Sequence, residues 1–464
     1  MPRPADKTSP RAVLAVAALA NFMSPFMISA VNIALPAIQE EFSVDAVTLG
    51  WVANAFLLSS GVALVPFGKI ADIRGRRKVF VSGILLFTVA TVATAFVPSI
   101  FWIIALRVLQ GIGAAMTMTT AFAIISAVFP PSQRGRAIGI TVASVYIGLS
   151  TGPFAGGLLT GAFGWRSIFL INAPIGLAAF ATAALKIREE WADAAGERLD
   201  VAGSLLYGAS LICLMYGLSI LPDLAGIGLL AGGAVGMGLF VWHELRTPFP
   251  VFEVRLFAQN RTFSYSSLAA LINYAATFAV AFLLSLYLQY IKGMSPGSAG
   301  TLLICQPAVM ALFSPVAGKL SDRIEPSVIA SAGMALTACG LAALAFLTKE
   351  TGIPYIAASL VVLGLGFALF SSPNMNAIMG SVEKRFYGIA SGTVATMRLI
   401  GQMLSMALAT LAFSFFIGES QIAPPVYPQF LRSVQLCFTA FAAMCTMGIY
   451  FSLARGALHH RQTG

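Results

Sequence analysis

Long apolar stretches alternate with short polar segments along the whole chain. Most of these stretches reach or approach the roughly 20 residues that an α-helix needs to cross the hydrocarbon core of a bilayer. The fourteen stretches cover residues 12–35, 48–68, 79–97, 100–128, 137–161, 167–186, 201–221, 225–243, 263–290, 298–317, 327–347, 353–378, 387–416 and 431–454. The pattern predicts an all-α integral membrane protein with fourteen transmembrane helices, which we number spans 1 to 14.

The polar segments between the spans alternate between basic and nearly uncharged. If the amino terminus is cytoplasmic, the cytoplasmic segments hold 22 of the 28 Lys and Arg residues. The opposite segments then hold only Arg166, Lys292, Lys349 and Arg432. Because cytoplasmic loops of membrane proteins are enriched in Lys and Arg, the sequence predicts that both termini are cytoplasmic. We expect a multi-pass protein of the cell (plasma) membrane.

Composition excludes most soluble functions. The chain is 58% hydrophobic and 10% charged, whereas a soluble domain carries about 25% charged residues. The net charge of +10 follows the loop pattern, so we read it as a topology signal rather than a nucleic-acid footprint. The sequence contains no phosphate-binding loop, and its five cysteines lack metal-ligand spacing. We therefore expect no enzyme activity, no cofactor and no metal site.

A loop sequence occurs twice, each time between two apolar stretches. Residues 68–78 read Gly-Lys-Ile-Ala-Asp-Ile-Arg-Gly-Arg-Arg-Lys, and a degraded copy occupies residues 318–326. Internal repeats of this kind are typical of secondary transporters. We predict a six-helix bundle in residues 1–188 and a second in residues 263–464. Residues 189–262 then form a linker with two additional spans and an amphipathic segment on the inner membrane surface.

Five motifs, in order and on matching spans, resemble the major facilitator superfamily, and within it the fourteen-span drug:proton antiporter family. Residues 68–80 resemble the superfamily signature G-x-L-A-D-x-x-G-R-R, and residues 107–115 are similar to its R-x-x-Q-G-x-G-A-A element. Residues 148–157 match the antiporter signature, whereas residues 32–36 and 165–176 resemble stretches typical of the fourteen-span family. The resemblance covers nearly the whole chain. It implies proton-coupled multidrug-type efflux of small hydrophobic or amphiphilic compounds by alternating access.

The residues that we expect to act in gating and coupling lie in these motifs or are charged groups inside spans. Gly68 and Gly75 would let helix ends approach and turn tightly. Asp72 would face the positive amino-terminal end of a helix, and the resemblance suggests the helix that starts near Phe386. Arg107 and Arg398 are ionisable groups within spans, which are costly and often functional. The set comprises Gly68, Asp72, Gly75, Arg76, Arg107, Gly148, Gly152, Pro153, Gly156, Asp322 and Arg398.

Span 5 carries a glycine stripe. Gly148, Gly152 and Gly156 recur every four residues, so they share one helix face on which a neighbouring helix can approach closely. Pro153 lacks a backbone donor and is expected to bend the helix. The spacing alone indicates close packing, and the resemblance places that packing at the outer gate of exporters.

The chain departs from the antiporter family in span 1. Fourteen-span drug antiporters usually have an Asp where this chain has Met27, and no Asp or Glu lies near the middle of any predicted span. This weakens the inference of cation binding and of proton antiport. The candidate substrate-binding residues are therefore neutral or polarizable: Met27, Asn32, Tyr146, Asn273, Tyr274, Gln306, Asn374, Asn376 and Gln402.

Two other readings stay open. The chain could transport a specific neutral or anionic metabolite, which the missing carboxylate and the two arginines would suit. It could also be a non-transporting sensor or a lipid-handling protein, because a fold does not fix a function. As partners we expect a small-molecule substrate, protons and the lipid bilayer, with the protein acting as a monomer.

Overall fold

The computed structural model describes residues 8–248, 250–321, 323–382, 387–418 and 420–456. Within these residues, fourteen helices are long and apolar enough to cross a membrane. They are Pro10–Phe42, Ala46–Arg74, Arg76–Thr94, Ile100–Val128, Arg136–Phe163, Ser167–Lys186, Val201–Ser219, Leu224–Glu244, Arg261–Ile291, Pro296–Ser321, Pro326–Leu344, Ile353–Gly380, Gly392–Phe416 and Pro424–Ala454. The all-α fold and the fourteen spans predicted from the sequence are confirmed.

Several helices extend past the apolar stretch that predicted them, or break inside it. Span 2 starts at Ala46 because the Asp45 carboxylate accepts a hydrogen bond from the Thr48 N–H at 2.8 Å, which caps the helix. Span 6 consists of two helices, Ser167–Leu170 and Asn172–Lys186. Span 9 ends in a π-helical turn at Tyr287–Ile291. Hydropathy alone does not predict polar caps and local helix breaks of this kind.

Spans 1–6 and spans 9–14 pack by the same scheme. Span 1 contacts span 5 as span 9 contacts span 13, and spans 2 and 3 contact span 4 as spans 10 and 11 contact span 12. Span 3 also lies against span 6, as span 11 lies against span 14. The duplicated sequence lies at the junction of the second and third helices of each set. Residues 68–74 end span 2, Gly75 makes the turn and residues 76–78 begin span 3, and residues 318–326 occupy the matching place between spans 10 and 11. We keep the name loop for both copies. We call spans 1–6 the N-half and spans 9–14 the C-half.

Spans 7 and 8 form a hairpin on the outside of the two halves. The two helices pack on each other, and span 7 also contacts span 2 of the N-half and span 13 of the C-half. A short helix, Arg255–Gln259, lies in the segment that returns the chain to span 9. We call the side on which span 1 begins and span 14 ends the terminal side, and the opposite side the far side.

Candidate functional site

The N-half and the C-half are joined by hydrogen bonds between spans 1 and 9. The Ser285 hydroxyl donates to the Asn32 carbonyl at 2.7 Å. The Gln289 side-chain amide donates to the Ile33 carbonyl at 3.1 Å, and the Tyr290 hydroxyl donates to the Gln39 side chain. All three bonds lie in the far-side portions of these spans.

Two further helix pairs close the same side. The Asn54 amide of span 2 donates to the Thr410 hydroxyl of span 13 at 2.9 Å. Spans 5 and 10 approach backbone to backbone, because a Cβ at Gly300 would lie 2.0 Å from the Pro153 carbonyl oxygen. Within the described ranges, every hydrogen bond that joins the two halves directly lies in the far-side portion of the spans. The structure therefore shows an arrangement that is closed on the far side.

A polar cluster lies at mid-depth, on the terminal side of this closure. The Tyr274 hydroxyl lies within reach of the side chains of Arg398 and Ser371, and Tyr146 of the N-half lies nearby. The Tyr274 ring packs edge-on against Phe367 with centroids 5.5 Å apart. The structure thus brings together three residues that the sequence singled out, Tyr146, Tyr274 and Arg398, from spans 5, 9 and 13.

Arg398 has an unusual electrostatic setting. Its side chain is only partly exposed, and no described Asp or Glu forms a salt bridge with it. The sequence also lacks acidic residues in the middle of the spans. The cluster therefore offers one cationic group, hydroxyls and aromatic rings, without a carboxylate.

The loop at residues 68–78 is clasped by the linker segment that follows span 6. The Lys69 ammonium pairs with Glu197 at 2.5 Å, and the Arg76 guanidinium pairs with Asp193 at 2.8 Å. The Glu190 carboxylate accepts from the Arg77 N–H at 2.7 Å, at the positive amino-terminal end of span 3. We call residues 189–197 the acidic clasp.

Asp72 and Gly75 have distinct roles in this loop. The Asp72 carboxylate accepts from the Arg76 side chain at 2.7 and 2.8 Å, and its backbone carbonyl accepts from the clasp N–H of Ala194 at 3.0 Å. Gly75 has a φ of +115°, and a Cβ there would lie 2.4 Å from the Glu190 carboxyl carbon. The prediction of a tight turn at Gly75 is confirmed.

Gly68 does not match its expectation. A Cβ there would meet Thr119 at 3.7 Å, which is an ordinary contact, so the predicted close approach at Gly68 is absent in this arrangement. Phe386, which begins the expected partner helix of Asp72, and Asp322 of the second loop lie outside the described residues. In the second loop, a Cβ at Gly318 would lie 2.8 Å from the Ser372 hydroxyl.

The glycine stripe of span 5 packs within the N-half, against span 1. A Cβ at Gly148 would lie 2.6 Å from the Phe22 carbonyl, one at Gly152 would lie 1.9 Å from the Ser29 hydroxyl, and one at Gly156 would lie 2.8 Å from Ala30. The predicted close helix packing is confirmed. The contact with the C-half comes from a neighbouring face of the helix, which carries Pro153 and Gly157.

Arg107 lies in the core of the N-half, 1% exposed. Its guanidinium donates to the Val52 carbonyl and to the Gln110 side chain, both at 2.9 Å, and stacks 4.4 Å over the Phe56 ring. Gln110 in turn donates to the Thr94 hydroxyl at 2.9 Å. Arg107 therefore ties spans 2, 3 and 4 together and does not join the mid-depth cluster.

Three candidate substrate-binding residues are almost fully buried. Met27 and Asn273 have no exposed surface, and Asn374 is 3% exposed. The Asn374 side chain accepts from the Arg455 guanidinium at 2.7 Å and donates to the Ser266 carbonyl at 3.1 Å. In this arrangement the three side chains do not line a cavity, because neighbouring helices cover them. Their role in substrate binding stays a prediction.

The remaining candidates are spread along the pathway. Asn32 belongs to the far-side closure through its backbone carbonyl. Gln306 and Gln402 are partly exposed, and the Gln306 carbonyl packs against Gly364. Asn376 is exposed near the terminal side and donates to the Ser321 hydroxyl at 2.6 Å.

Sequence reasoning missed two buried charges at span ends. Arg455 is 1% exposed and donates to the Pro326 carbonyl at 2.7 Å, and burial lowers the pKa of its guanidinium to about 10. Glu244 is 2% exposed and accepts from the Phe252 N–H at 2.9 Å. Both residues directly adjoin an apolar stretch, where a charged side chain ordinarily reaches toward the membrane surface. The sequence therefore gave no signal of their burial.

Comparison with known proteins decides the family. Residues 17–246 and 266–461 match the sequence profile of the Major Facilitator Superfamily. The chain belongs to this superfamily of transporters. Its multi-pass architecture and the two similarly packed halves agree with that assignment.

Relatives within the superfamily are named for different substrates. The chain is 32% identical over 410 residues to the riboflavin transporter RibZ of Clostridioides difficile, with 88% of each chain covered. It is 35% identical over 387 residues to the multidrug resistance protein Stp of Mycobacterium tuberculosis, covering 82% of this chain and 71% of that protein. It is 30% identical to the tetracenomycin C resistance and export protein of Streptomyces glaucescens, covering 84% and 73%.

Solved structures share the fold. A bacterial homolog of the human lysosomal transporter Spinster, in an inward-facing and unoccupied conformation, aligns with a TM-score of 0.70 at 17% identity over 96% of each chain. The human organic anion transporter MFSD10 aligns with a TM-score of 0.65 at 14% identity, covering 96% of this chain and all of that one.

Proposed function

We propose that this protein is a secondary active exporter of small hydrophobic or amphiphilic compounds in the plasma membrane, working by alternating access. The observation that carries the proposal is the far-side closure between the halves, with the Tyr146, Tyr274 and Arg398 cluster on its terminal side. A substrate bound at that depth would face opposite sides of the membrane as the halves rock. The terminal side is then the cytoplasm, as the distribution of Lys and Arg favours.

Two of the relatives support a role in efflux. One is named for multidrug resistance and another for resistance to, and export of, a specific compound. A mid-depth site bordered by aromatic rings and one cation suits amphiphilic molecules, because such pockets combine apolar contact with few polar groups.

The rocking motion would require two sets of contacts to exchange. On the far side, the bonds of spans 1, 2 and 5 to spans 9, 13 and 10 would separate. On the terminal side, the loop at residues 68–78 would meet the C-half, and Asp72 would change its partner. Pro153 would form part of the far-side contact with span 10, and Gly152 and Gly156 would support that contact by setting how closely span 5 approaches span 1.

Proton coupling would have to work without a carboxylate at mid-depth. Arg107 is removed from the pathway by its burial in the N-half, which leaves Asp72 on the terminal side as the acidic candidate within the N-half motifs. A protonatable substrate could also carry the proton itself. We propose proton antiport, and its test is whether transport requires an imposed pH gradient.

A second function is favoured by the charge of Arg398. A partly exposed cation without an acidic partner attracts anions and electron-rich groups, so the chain would then carry one specific neutral or anionic metabolite. One relative, which matches 88% of this chain at 32% identity, is named as the transporter of a single metabolite, riboflavin. That name supports the second function.

Transport by everted membrane vesicles tests both proposals. Vesicles with the protein would be challenged with cationic, neutral and anionic dyes of similar size, with and without a proton gradient. Efflux function predicts uptake of several chemically different dyes driven by the gradient. Uptake restricted to anionic dyes and lost in Arg398→Gln supports the second function, and uptake of none in vesicles that contain folded protein contradicts broad export.

A further inference from the structure

An apolar pocket lies where the span 7 and 8 hairpin meets span 13. Its walls include Tyr207, Phe240, Phe252, Phe257, Met397 and Ile400, and its volume is about 240 Å³. Spans 7 and 8 supply one wall, the segment between spans 8 and 9 supplies the floor, and span 13 supplies the back. None of these residues belongs to the mid-depth cluster or to the far-side closure.

The lining offers no polar surface because its polar atoms are satisfied elsewhere. The Tyr207 hydroxyl donates to the Gly61 carbonyl of span 2 at 3.3 Å, so only its ring faces the pocket. The hydroxyl of Thr396, also in the lining, donates to the Gly392 carbonyl at 3.0 Å. Because water needs several polar partners to occupy a buried space, the pocket suits an apolar occupant better than water.

The floor of the pocket is held in place by Glu244. Its carboxylate accepts from the Phe252 N–H at 2.9 Å, and the Arg255 guanidinium donates to the Leu245 carbonyl at 2.9 Å. The segment therefore lies across the terminal-side ends of spans 8 and 13. The pocket lies beside the terminal-side end of span 8, and Val241 of its lining is 37% exposed.

The segment between spans 8 and 9, part of which lines the pocket, carries exposed arginines as well as Glu253. Arg246 is exposed and stacks 4.2 Å over the Trp242 ring, and Trp242 itself is 53% exposed. Arg255 and Arg261 are exposed on the same segment. An exposed Trp beside arginines at a span end is the arrangement that membrane proteins place at the interface, and basic pockets between spans bind anionic headgroups.

We propose that this pocket is a specific site for an anionic phospholipid of the terminal-side leaflet. One acyl chain occupies the apolar pocket, and the headgroup phosphate lies against Arg246 and the neighbouring arginines. The volume favours a chain segment over a drug molecule, because drug-sized ligands occupy pockets of about 300–1,000 Å³. The occupant touches Met397 and Ile400, the neighbours of Arg398 on span 13, so lipid binding restrains a helix that the transport cycle has to move.

Native mass spectrometry of the purified full chain tests this site. The probes are phosphatidylglycerol and phosphatidylcholine with identical acyl chains, and the measurement is the affinity of the first bound lipid. Wild type is expected to bind phosphatidylglycerol at least about fivefold more tightly, which is the factor for one Arg near an anionic lipid surface. Arg246→Gln should remove about that factor for phosphatidylglycerol alone.

A second variant tests the acyl-chain pocket separately. Met397→Trp fills the space and should weaken the first binding of both lipids by at least about fivefold. The matched controls are Arg432→Gln, a far-side exposed arginine, and Leu205→Trp, a 68% exposed position on span 7. Neither control should change either affinity.

Three results would overturn the proposal. Equal affinity of the wild type for the two lipids means ordinary boundary lipid. Unchanged binding in either Arg246→Gln or Met397→Trp places the preferred lipid elsewhere. If Arg432→Gln weakens binding as much as Arg246→Gln, or Leu205→Trp as much as Met397→Trp, the lipid does not bind specifically in this pocket.

Discussion

The Asn54 side chain and the Thr410 hydroxyl form a hydrogen bond that crosses from the N-half to the C-half at 2.9 Å. Gly50, one helical turn earlier, faces the same threonine, because a Cβ there would lie 2.9 Å from its hydroxyl oxygen. Spans 2 and 13 thus meet through a polar pair seated in a close contact. Such a bond stabilises the far-side-closed arrangement, and the proposed opening of the far side would break it.

Thr410→Val should shift the protein toward the far-side-open arrangement. The substitution removes the hydrogen bond with little change in shape, and a net bond of about 1 kcal/mol corresponds to roughly a fivefold change in an equilibrium constant. Spin labels at exposed far-side positions Phe96 and Phe346 would report the distance between the halves. Thr439→Val, which removes only a bond within span 14, is the control, and equal distance distributions in both variants would contradict the prediction.

Gly156→Leu should abolish transport. The position meets Ala30 of span 1 at contact distance, so a leucine would force spans 1 and 5 apart and disturb the far-side contact. Gly161→Leu is the matched control in the same helix, because a Cβ at Gly161 meets nothing within 4 Å. Dye transport is compared at equal abundance of folded protein, and wild-type activity of Gly156→Leu would show that the close packing is dispensable.

Asp72→Asn should lower transport several-fold while abundance stays near normal. The Asp72 side chain is 40% exposed, and exposed ion pairs contribute about 0–1 kcal/mol to stability. The loop would still lose the charge that we expect to exchange partners during the cycle. Asp223→Asn on a far-side loop serves for comparison, and unchanged transport kinetics in Asp72→Asn would remove Asp72 from the gate.

Reporter fusions should place the termini in the cytoplasm. A reporter after residue 195 should read cytoplasmic and one near Asp223 should read outside, because the intervening span 7 crosses the membrane once. Alkaline phosphatase and a cytoplasmic fluorescent protein give complementary readouts. The opposite pair of signals would invert the topology.

Met27→Asp should reduce the amount of folded protein rather than improve cation transport. Met27 has no exposed surface, so the new carboxylate would be buried without a partner, which costs several kcal/mol or forces it to stay protonated. Thermal unfolding of the detergent-solubilised protein measures the effect, with Met27→Leu as the volume-matched control. Stable folding combined with a gain of dication export would show that position 27 can reach the substrate.

The fourteen spans could be predicted because hydropathy reports directly on the requirement to cover a helix with apolar side chains. The tight turn at Gly75 and the close packing of Gly148, Gly152 and Gly156 could also be predicted from the sequence. A glycine has no side chain, so it permits a turn or a close helix approach at its own position. Helix spacing does not tell which face meets which neighbour. For that reason Met27 and Asn273 looked as suitable for a cavity as Tyr146 and Tyr274.

Arg455 and Asn374 show why long-range pairings escaped prediction. Asn374 follows Pro373 in a span and has the features of a ligand-binding amide, yet its carbonyl oxygen is occupied by an arginine 81 positions later. In the sequence, nothing distinguishes Arg455 from the other basic residues that follow apolar stretches. Only the packing of spans 9, 11, 12 and 14 brings the two together.

Because the acidic clasp lies far along the chain, the basic residues of the loop at residues 68–78 lack its carboxylates during synthesis and meet them only in the folded protein. During synthesis Arg77 leaves the ribosome 113 positions before Glu190, so the first helices enter the membrane while the basic cluster has no acidic partner from the clasp. We expect that uncompensated charge to orient the nascent hairpin, because basic loops favour the cytoplasmic side. Once the sixth helix has been inserted, the late-arriving carboxylates neutralise the same cluster, and a signal for insertion becomes part of the folded protein's terminal-side surface.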